Sequence, residues 1–273
     1  MKKVILITGA SSGIGKASAE FLIKQQHIVY GLSRSLDKMH SLLEMGGHAI
    51  TTDVTDDLSV TEAVEKVIRE QGRIDVLINN AGYGSYGALE TVPIEQAKAE
   101  MEVNLFGLAR MCQLVIPVMR KQKSGRIINI SSIAGKITSP LGSWYFASKH
   151  AVEGLSDSLR QELQTFGIDV VIIEPGAIKT QWSKIAGKHL METSKDTPYQ
   201  SLAWKVINYF PFVEKEQADP SVIVQLINKA VSAKKPKTRY VGGAMAKPLL
   251  FARKVFSDRF FDSVLFKQLN SIR

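Results

Sequence analysis

MKKVILITGASSGIG, residues 1–15, is the stretch on which the fold turns. Residues 4–7 form an unbroken apolar run that reads as a buried strand, Thr8-Gly9 leaves it, and Gly13-Ile14-Gly15 opens an amphipathic helix. Glycine has separate physical uses at Gly9, Gly13 and Gly15. One position needs a tight strand-to-helix turn, another lets backbone approach a pyrophosphate, and a third lets the helix pack close to the sheet. A helix N-terminus presents unpaired N–H groups and the positive end of its dipole. An anion is favoured there, with Ser11 and Ser12 as further donors. Glycines of this kind mark many tight turns; their place between strand and helix is what points to a dinucleotide.

Outward from that turn, strand-like runs recur at 28–32, 49–52, 76–79, 126–131, 169–174 and 238–241, with helical patterns between them. Near-continuous apolar strands imply a parallel sheet buried on both faces. Right-handed crossovers then make it a doubly wound α/β (Rossmann) fold of about seven strands with helices on both sides. Ligands of such sheets bind beyond the carboxyl ends of the strands, where Gly9, Ser33, Asp53, Asn80, Ser132 and Pro175 all fall. At 273 residues and 45% hydrophobic, the chain reads as one domain, 1–273, without repeat or linker. Within it, 182–273 reads as a variable substrate lid and a basic helical tail. The sole cysteine, Cys112, excludes an intramolecular disulfide and falls on an apolar helical face, which suits a reducing compartment. No run approaches the ~18 apolar residues of a membrane span. The apolar stretch after Lys2-Lys3 stops at Thr8, short of a signal-peptide core. A cytoplasmic protein without a transmembrane segment is expected.

Thirteen residues after Ser132 comes Tyr145, and four after that Lys149, in the run SWYFASKH (143–150). Residues four apart share a helix face, so the Lys149 ammonium can approach the Tyr145 ring. A phenol titrates at about 10 and a nearby cation lowers that value, which makes Tyr145 a general acid/base. Ser132, just past the run 126–131, is placed to donate to a substrate oxygen that gains charge. The tyrosine–lysine pair alone is a commonplace; the glycine turn in the same chain gives it weight. His27, His40, His48, His150 and His189 show no ligand spacing, so no metal is expected, and His150 reads as packing on its helix.

TGASSGIG (8–15), Asp53-Val54, NNAG (79–82), Asn104, Ser132, YFASK (145–149) and Pro175-Gly176 follow one another in a set order. The chain thereby resembles the short-chain dehydrogenase/reductase family in its compact single-domain form, from residue 4 to about residue 181. The resemblance implies reversible hydride transfer between a nicotinamide and a carbonyl or secondary alcohol carbon. It implies that Tyr145 gives the proton on reduction, that Ser132 orients the substrate oxygen, and that Asn104 helps hold a water linking Lys149 to solvent. Lys149 would lower the Tyr145 pKa and bond the nicotinamide ribose. Asp53 is implied at the adenine amino group, Asn80, Ala81 and Gly82 along the adenosine, and Pro175, Gly176, Ile178 and Thr180 at the nicotinamide end. In YGLSRS (30–35), an NAD site would place Asp or Glu for the ribose 2′-hydroxyl; this chain has Ser33 and Arg34. A guanidinium suits a 2′-phosphate in charge and in forked geometry, so NADP is the expected cofactor, NADPH being preferred over NADH.

Tyr83, Tyr86, Trp182, Trp204, Tyr209, Phe210 and Phe212 suggest an apolar pocket for a bulky hydrophobic ketone, aldehyde or alcohol. The same aromatics could instead pack a helical lid. Residues 1–228 hold 24 basic and 24 acidic side chains and residues 229–273 hold 11 and 2, so the whole net charge of +9 lies in the tail. There Phe260, Phe261, Val264, Leu265 and Leu269 form one face of a helix beginning near Ser257, a suitable N-cap. That face is expected to cover the substrate cleft or a partner subunit, in preference to a solvated surface helix of little consequence or to anionic lipid, with nucleic acid the poorest reading. The resemblance also implies a homo-oligomer paired through helices near 96–120 and 145–166. A non-catalytic redox sensor is the competing class, but it has no use for Ser132, Tyr145 and Lys149 together. Dehydratases and epimerases of nucleotide sugars usually differ in glycine spacing, and a serine hydrolase would need a Gly-x-Ser-x-Gly elbow that is missing.

Overall fold

The structure, a computed structural model, describes residues 1–180, 182–215 and 217–272, with the side chains of 183, 184 and 210–215 outside the described set. Phe210 and Phe212, two of the expected pocket aromatics, therefore lie outside the described residues. The first half runs β1 (Val4–Thr8), α1 (Gly13–Lys24), β2 (Ile28–Ser33), α2 (His40–Glu44), β3 (His48–Thr51), α3 (Asp57–Gln71) and β4 (Val76–Asn79). Then come α4 (Ile94–Met101), a π-helical turn (Glu102–Gly107), α5 (Leu108–Gln122), β5 (Gly125–Ile130), α6 (Ser143–Leu163) and β6 (Ile168–Pro175). The chain continues through α7 (Trp182–Ser194), α8 (Gln200–Lys215), α9 (Ser221–Ser232), β7 (Arg239–Gly242), α10 (Ala246–Val255) and α11 (Asp258–Asn270).

The strands form one seven-stranded sheet in the order β3-β2-β1-β4-β5-β6-β7, every pair parallel. This is the doubly wound fold expected from the sequence. Successive strand residues point to opposite faces, and both faces are covered, which is why the strands read as unbroken apolar runs. Val4, Leu6, Leu77, Ile127 and Val170 pack on one side with residues of α3, α5 and α6. Their neighbours Ile5, Ile7, Ile78, Ile128 and Val171 pack on the other with α1 and α9. The strand order reverses between β1 and β4, so the loops after these two strands diverge and open a crevice at the carboxyl edge.

The helical run 94–122, 29 residues long, contains an 18-residue window of mean hydropathy 1.2, which has the length and composition of a span. Its apolar side is taken up by the core, through Leu108, Met111, Cys112, Val115 and Met119, and Glu100, Glu102 and Arg110 interrupt it. Cys112 is buried, and its burial pushes the thiol up to about 12.

The tail helix α11 starts where expected, with Ser257 in the N-cap position although its side chain makes no capping bond. Its apolar residues do not act as one face. Leu265 and Leu269 turn inward onto a cluster with residues of α8, whereas Phe260 and Val264 remain exposed. Rows starting at 260 and 261 lie about 100° apart around a helix, and among the described residues it is the Leu265 row that meets α8.

Candidate active site

The first turn is built by close approach. Gly9 and Gly13 have φ of +67° and +53°, in the left-handed region. A Cβ on Gly15 would lie 2.4 Å from the Gly9 carbonyl oxygen and 2.3 Å from Asn80 Nδ2. Thr8 Oγ1 accepts from the N–H groups of Asn80 and Ala81, both at 3.0 Å, and Asn80 Nδ2 donates to the Thr8 carbonyl at 3.0 Å. The glycine turn and NNAG are thus one unit. Ser12 makes no side-chain cap on α1, whose first turn holds no acidic residue, so its N–H groups are left for an anion. Beside Gly13 there is space, since a Cβ there would meet only Thr180, at 3.7 Å. A pyrophosphate fits this cradle.

At the adjacent edge, Arg34 is exposed just past Ser33. Burial would raise the Asp53 pKa, but hydrogen bonds from the Thr55 N–H and hydroxyl, at 2.9 and 2.8 Å, and the charge of Arg34 together hold it low. The Arg34 charge also reaches Tyr83. Arg34 and Asp53 therefore share one rim of the crevice. Val54 is buried against Gly107 of the π-helical turn. On the opposite rim, the Gly176 N–H donates to Gly242 at 2.7 Å, Ile178 bridges to Ala218, and Thr180 Oγ1 accepts from the Trp182 N–H at 3.3 Å.

Ser132, Tyr145 and Lys149 come together as expected. The Tyr145 phenol lies beside Ser132, whose Oγ donates to the Pro175 carbonyl at 3.3 Å. Tyr145 and Lys149 are 9% and 7% exposed. One electrostatic expectation is reversed. Burial pushes the Tyr145 phenol up to about 12, with Ser132 pulling it down and Glu100 adding to the rise. Lys149 does not draw it down because that lysine is itself desolvated, which lowers it to about 8, and its Nζ donates to the Ile130 carbonyl at 3.0 Å.

Asn104 sits in the π-helical turn, an irregularity often found at functional sites. Its Oδ1 accepts from Tyr83 N at 3.0 Å, and its Nδ2 donates to the Tyr83 carbonyl at 2.8 Å and Ser148 Oγ at 3.0 Å. A Cβ on Gly82 would lie 3.0 Å from Asn104 Oδ1 and 3.7 Å from Lys149 Nζ, so both polar atoms border the same small space. Histidines play no part here: the His150 ring bonds the Phe146 carbonyl of its own helix at 2.8 Å, and no metal-binding cluster occurs among the described residues.

Glu100 was not marked by the sequence reading. It is fully buried, its Oε2 accepts from the Ser85 N–H at 3.0 Å, and burial raises it to about 7 against the opposing pull of Ser85 and Lys149. Glu100 in turn raises Lys149. Between about 7 and about 8, therefore, carboxylate and ammonium coexist. Glu100→Gln removes a charge that favours the ammonium, so Lys149 would lose its proton at lower pH. The alkaline limb of kcat/KM is expected to move down by roughly one pH unit, or about 1.4 kcal/mol. A limb that stays in place would remove Glu100 from the site's electrostatics.

Also outside the sequence reading is an ionic cluster behind α6. Arg239 of β7 contacts Asp157 at 2.6 Å, Glu153 at 2.9 Å and Glu174 at 3.4 Å, and Lys136 reaches Glu153 at 3.0 Å. It ties the edge strand to the helix that carries Tyr145 and Lys149.

The ring of Tyr145 is packed into an aromatic cluster. The ring of Tyr145 is 5.2 Å from Trp182 and 6.0 Å from Tyr86, and Tyr86 is 5.5 Å from Trp182. His189 and Thr193 of α7 bond the Tyr86 carbonyl at 2.7 and 3.0 Å, which latches α7 over the loop after β4. Leu202 and Tyr209 of α8 and Leu265 and Leu269 of α11 complete the same apolar cluster. Trp204, in contrast, is half exposed.

A sequence-family model described as short chain dehydrogenase matches residues 3–190. The chain is 40% identical over 252 residues to a 3-ketodihydrosphingosine reductase of Bacteroides thetaiotaomicron, covering 92% of this chain and 91% of that one. It is 36% identical over 279 residues to an NADPH-dependent 3-dehydrocapnine reductase of Ornithobacterium rhinotracheale, covering 98% and 97%. Among solved structures, a short-chain dehydrogenase from Streptomyces avermitilis superposes with a TM-score of 0.81 at 31% identity, covering 99% and 96%.

Proposed function

The chain belongs to the short-chain dehydrogenase family and is an NAD(P)-dependent oxidoreductase; on that footing we propose that it is an NADPH-dependent reductase of ketones borne on long apolar chains, with 3-keto long-chain bases such as 3-ketodihydrosphingosine as the substrate class. The observation that carries this reading is the packing of Tyr145, beside Ser132, into an apolar cluster with Tyr86, Phe146 and Trp182, which we read as the wall of a substrate chamber. The names of the two similar reductases agree with it.

When bound, the nicotinamide supplies a hydride to the carbonyl carbon. Ser132 turns its hydroxyl from the Pro175 carbonyl to the substrate oxygen and polarises it. The Tyr145 O–H then breaks as its proton joins that oxygen, giving a secondary alcohol and the oxidised cofactor. A phenol raised to about 12 is protonated at neutral pH, so the resting site is set for reduction. Lys149 and Asn104, facing each other beside Gly82, provide the route by which Tyr145 regains a proton.

The test is NADPH consumption with 3-ketodihydrosphingosine and 3-dehydrocapnine set against short and polar ketones. Preference for the long-chain ketones supports the proposal, and turnover confined to short or polar carbonyls would sink it. The tail completes the chamber in this reading. Removing residues from 244 onward would also cut the Ala177–Ala244 bridge beside Gly176, so the cleaner truncation removes residues 257–273. That truncation is expected to raise KM for long-chain ketones about tenfold while NADPH still binds; unchanged KM would exclude the tail from the chamber. A homo-oligomer through α4, α5 and α6 goes with this reading, supported by the exposed Ile94 and Phe106 beside Trp144. So does a cytoplasmic setting.

A further inference from the structure

The outward side of the tail has no partner among the described residues. Phe251 (68% exposed), Val255 (58%), Phe256 (45%), Phe260 (49%) and Val264 (42%) follow one another along α10 and α11. Residues 251 and 255 share a helix face, as do 260 and 264, and the rings of Phe256 and Phe260 meet at 4.5 Å where the helices join. The five side chains therefore make one continuous apolar strip. Chance exposure of single hydrophobic residues is ordinary; a contiguous aromatic strip is an interaction surface.

Cations accompany the strip. Lys247 and Lys254 lie one turn from Phe251 on the same side of α10, and Lys267 lies one turn beyond Val264 on α11. All three are exposed and make no salt bridge with a described residue. Arg253, by contrast, is paired with Asp258 at 2.5 Å. The strip also adjoins the site. α10 rests on the turn Ile133–Gly135 that follows Ser132, and the inward side of α11 belongs to the cluster around Tyr145.

We propose that the outer face of α10 and α11 docks the protein on an anionic bilayer surface, with the apolar strip entering the headgroup–acyl boundary and Lys247, Lys254 and Lys267 meeting the lipid phosphates. Aromatic residues on one side of a helix with lysines at its margin are the pattern of interfacial membrane helices. A second copy of the chain is the poorer occupant. A two-fold contact would set the patch against itself and bring like charges together, whereas an anionic surface complements them. Docking here places the cluster around Tyr145 beside the bilayer, which, on the proposed function, is the phase that would supply a long-chain substrate.

The experiment is sedimentation of the full-length protein with vesicles of phosphatidylglycerol and phosphatidylcholine, and with vesicles of phosphatidylcholine alone. Neither cofactor nor substrate is present, so the outcome is independent of the proposed activity. Binding is expected to the anionic vesicles and to weaken as salt is added. Each lysine near an anionic surface is worth about fivefold in partitioning, so K247Q/K254Q/K267Q is expected to lower binding about 100-fold. F251S/F260S is expected to abolish it while NADPH binding is retained. Should the phenylalanine variant fail to fold, the lysine variant and the salt series decide. Absence of the native protein from the anionic vesicle pellet would overturn the proposal. So would equal sedimentation of a folded F251S/F260S protein, or a dimer in analytical ultracentrifugation that this variant dissociates.

Discussion

Tyr145→Phe is expected to lower turnover by roughly 10²- to 10⁴-fold while leaving NADPH affinity nearly unchanged. The ring fills the same space against Tyr86, Phe146 and Trp182, so the aromatic cluster keeps its shape and only the hydroxyl, the proposed proton source, is lost. Ser132 retains its bonds to the Pro175 carbonyl and the Ala134 N–H, so the group proposed to polarise the substrate oxygen stays in place. Residual activity would then come from positioning and polarisation alone. The diagnostic is the split between constants: kcat and kcat/KM should fall together, because the interaction removed is made only in the transition state. Lys149→Ala is a useful contrast. It leaves a cavity behind α6 and removes the cation beside Gly82, so both turnover and cofactor affinity should suffer. A Tyr145→Phe protein with near-native turnover would show that another group protonates the product, and Glu100 would be the next candidate.

The parts of this site that were legible in the sequence are those set by local spacing or by burial of a whole element. Strands β1, β4, β5 and β6 could be read because both faces of a parallel sheet are covered, which leaves no polar alternation to confuse the run. The glycine turn and the Tyr145–Lys149 pair could be read because one turn of helix fixes their relation whatever the rest of the fold does. Glu100 could not. In IEQAKAEMEVN (94–104) it is one of three glutamates on an ordinary-looking helix, and only the loop after β4, folding back to donate the Ser85 N–H, makes it the buried one. The sign of the Tyr145 shift was missed for a related reason. Sequence gives the spacing of the cation but not the desolvation of either partner, and here desolvation is the larger effect on both. The tail failed differently: its amphipathic period was visible, but which row of side chains meets α8 depends on how the helix is docked.

Arg34→Ala is expected to weaken NADPH binding by one to two decades and to leave NADH binding close to native. Charge-assisted contacts to a phosphate are worth about 1.5–3 kcal/mol, and each decade of affinity is about 1.4 kcal/mol. Arg34 is exposed, so solvent and salt screen it and the lower end of that range applies. The neighbourhood sharpens the expectation. Past the end of β2 the chain offers Ser33 and Arg34 where a carboxylate would accept from a ribose hydroxyl, and Ser33 Oγ is already engaged with the Ser35 N–H at 3.3 Å. The acidic group on that rim is Asp53, which is held by Thr55 and lies within the field of Arg34. On the proposed NADPH reading, removing the guanidinium would leave Asp53 uncompensated beside the 2′-phosphate and repel it, an effect that NADH would not feel. Titration of both cofactors into native and variant protein therefore separates two roles. If Arg34 reads the phosphate, the affinity gap closes because NADPH alone is lost. If Arg34 only anchors the loop after β2, the two cofactors weaken in parallel, and equal affinities in the native protein would remove NADP selectivity altogether.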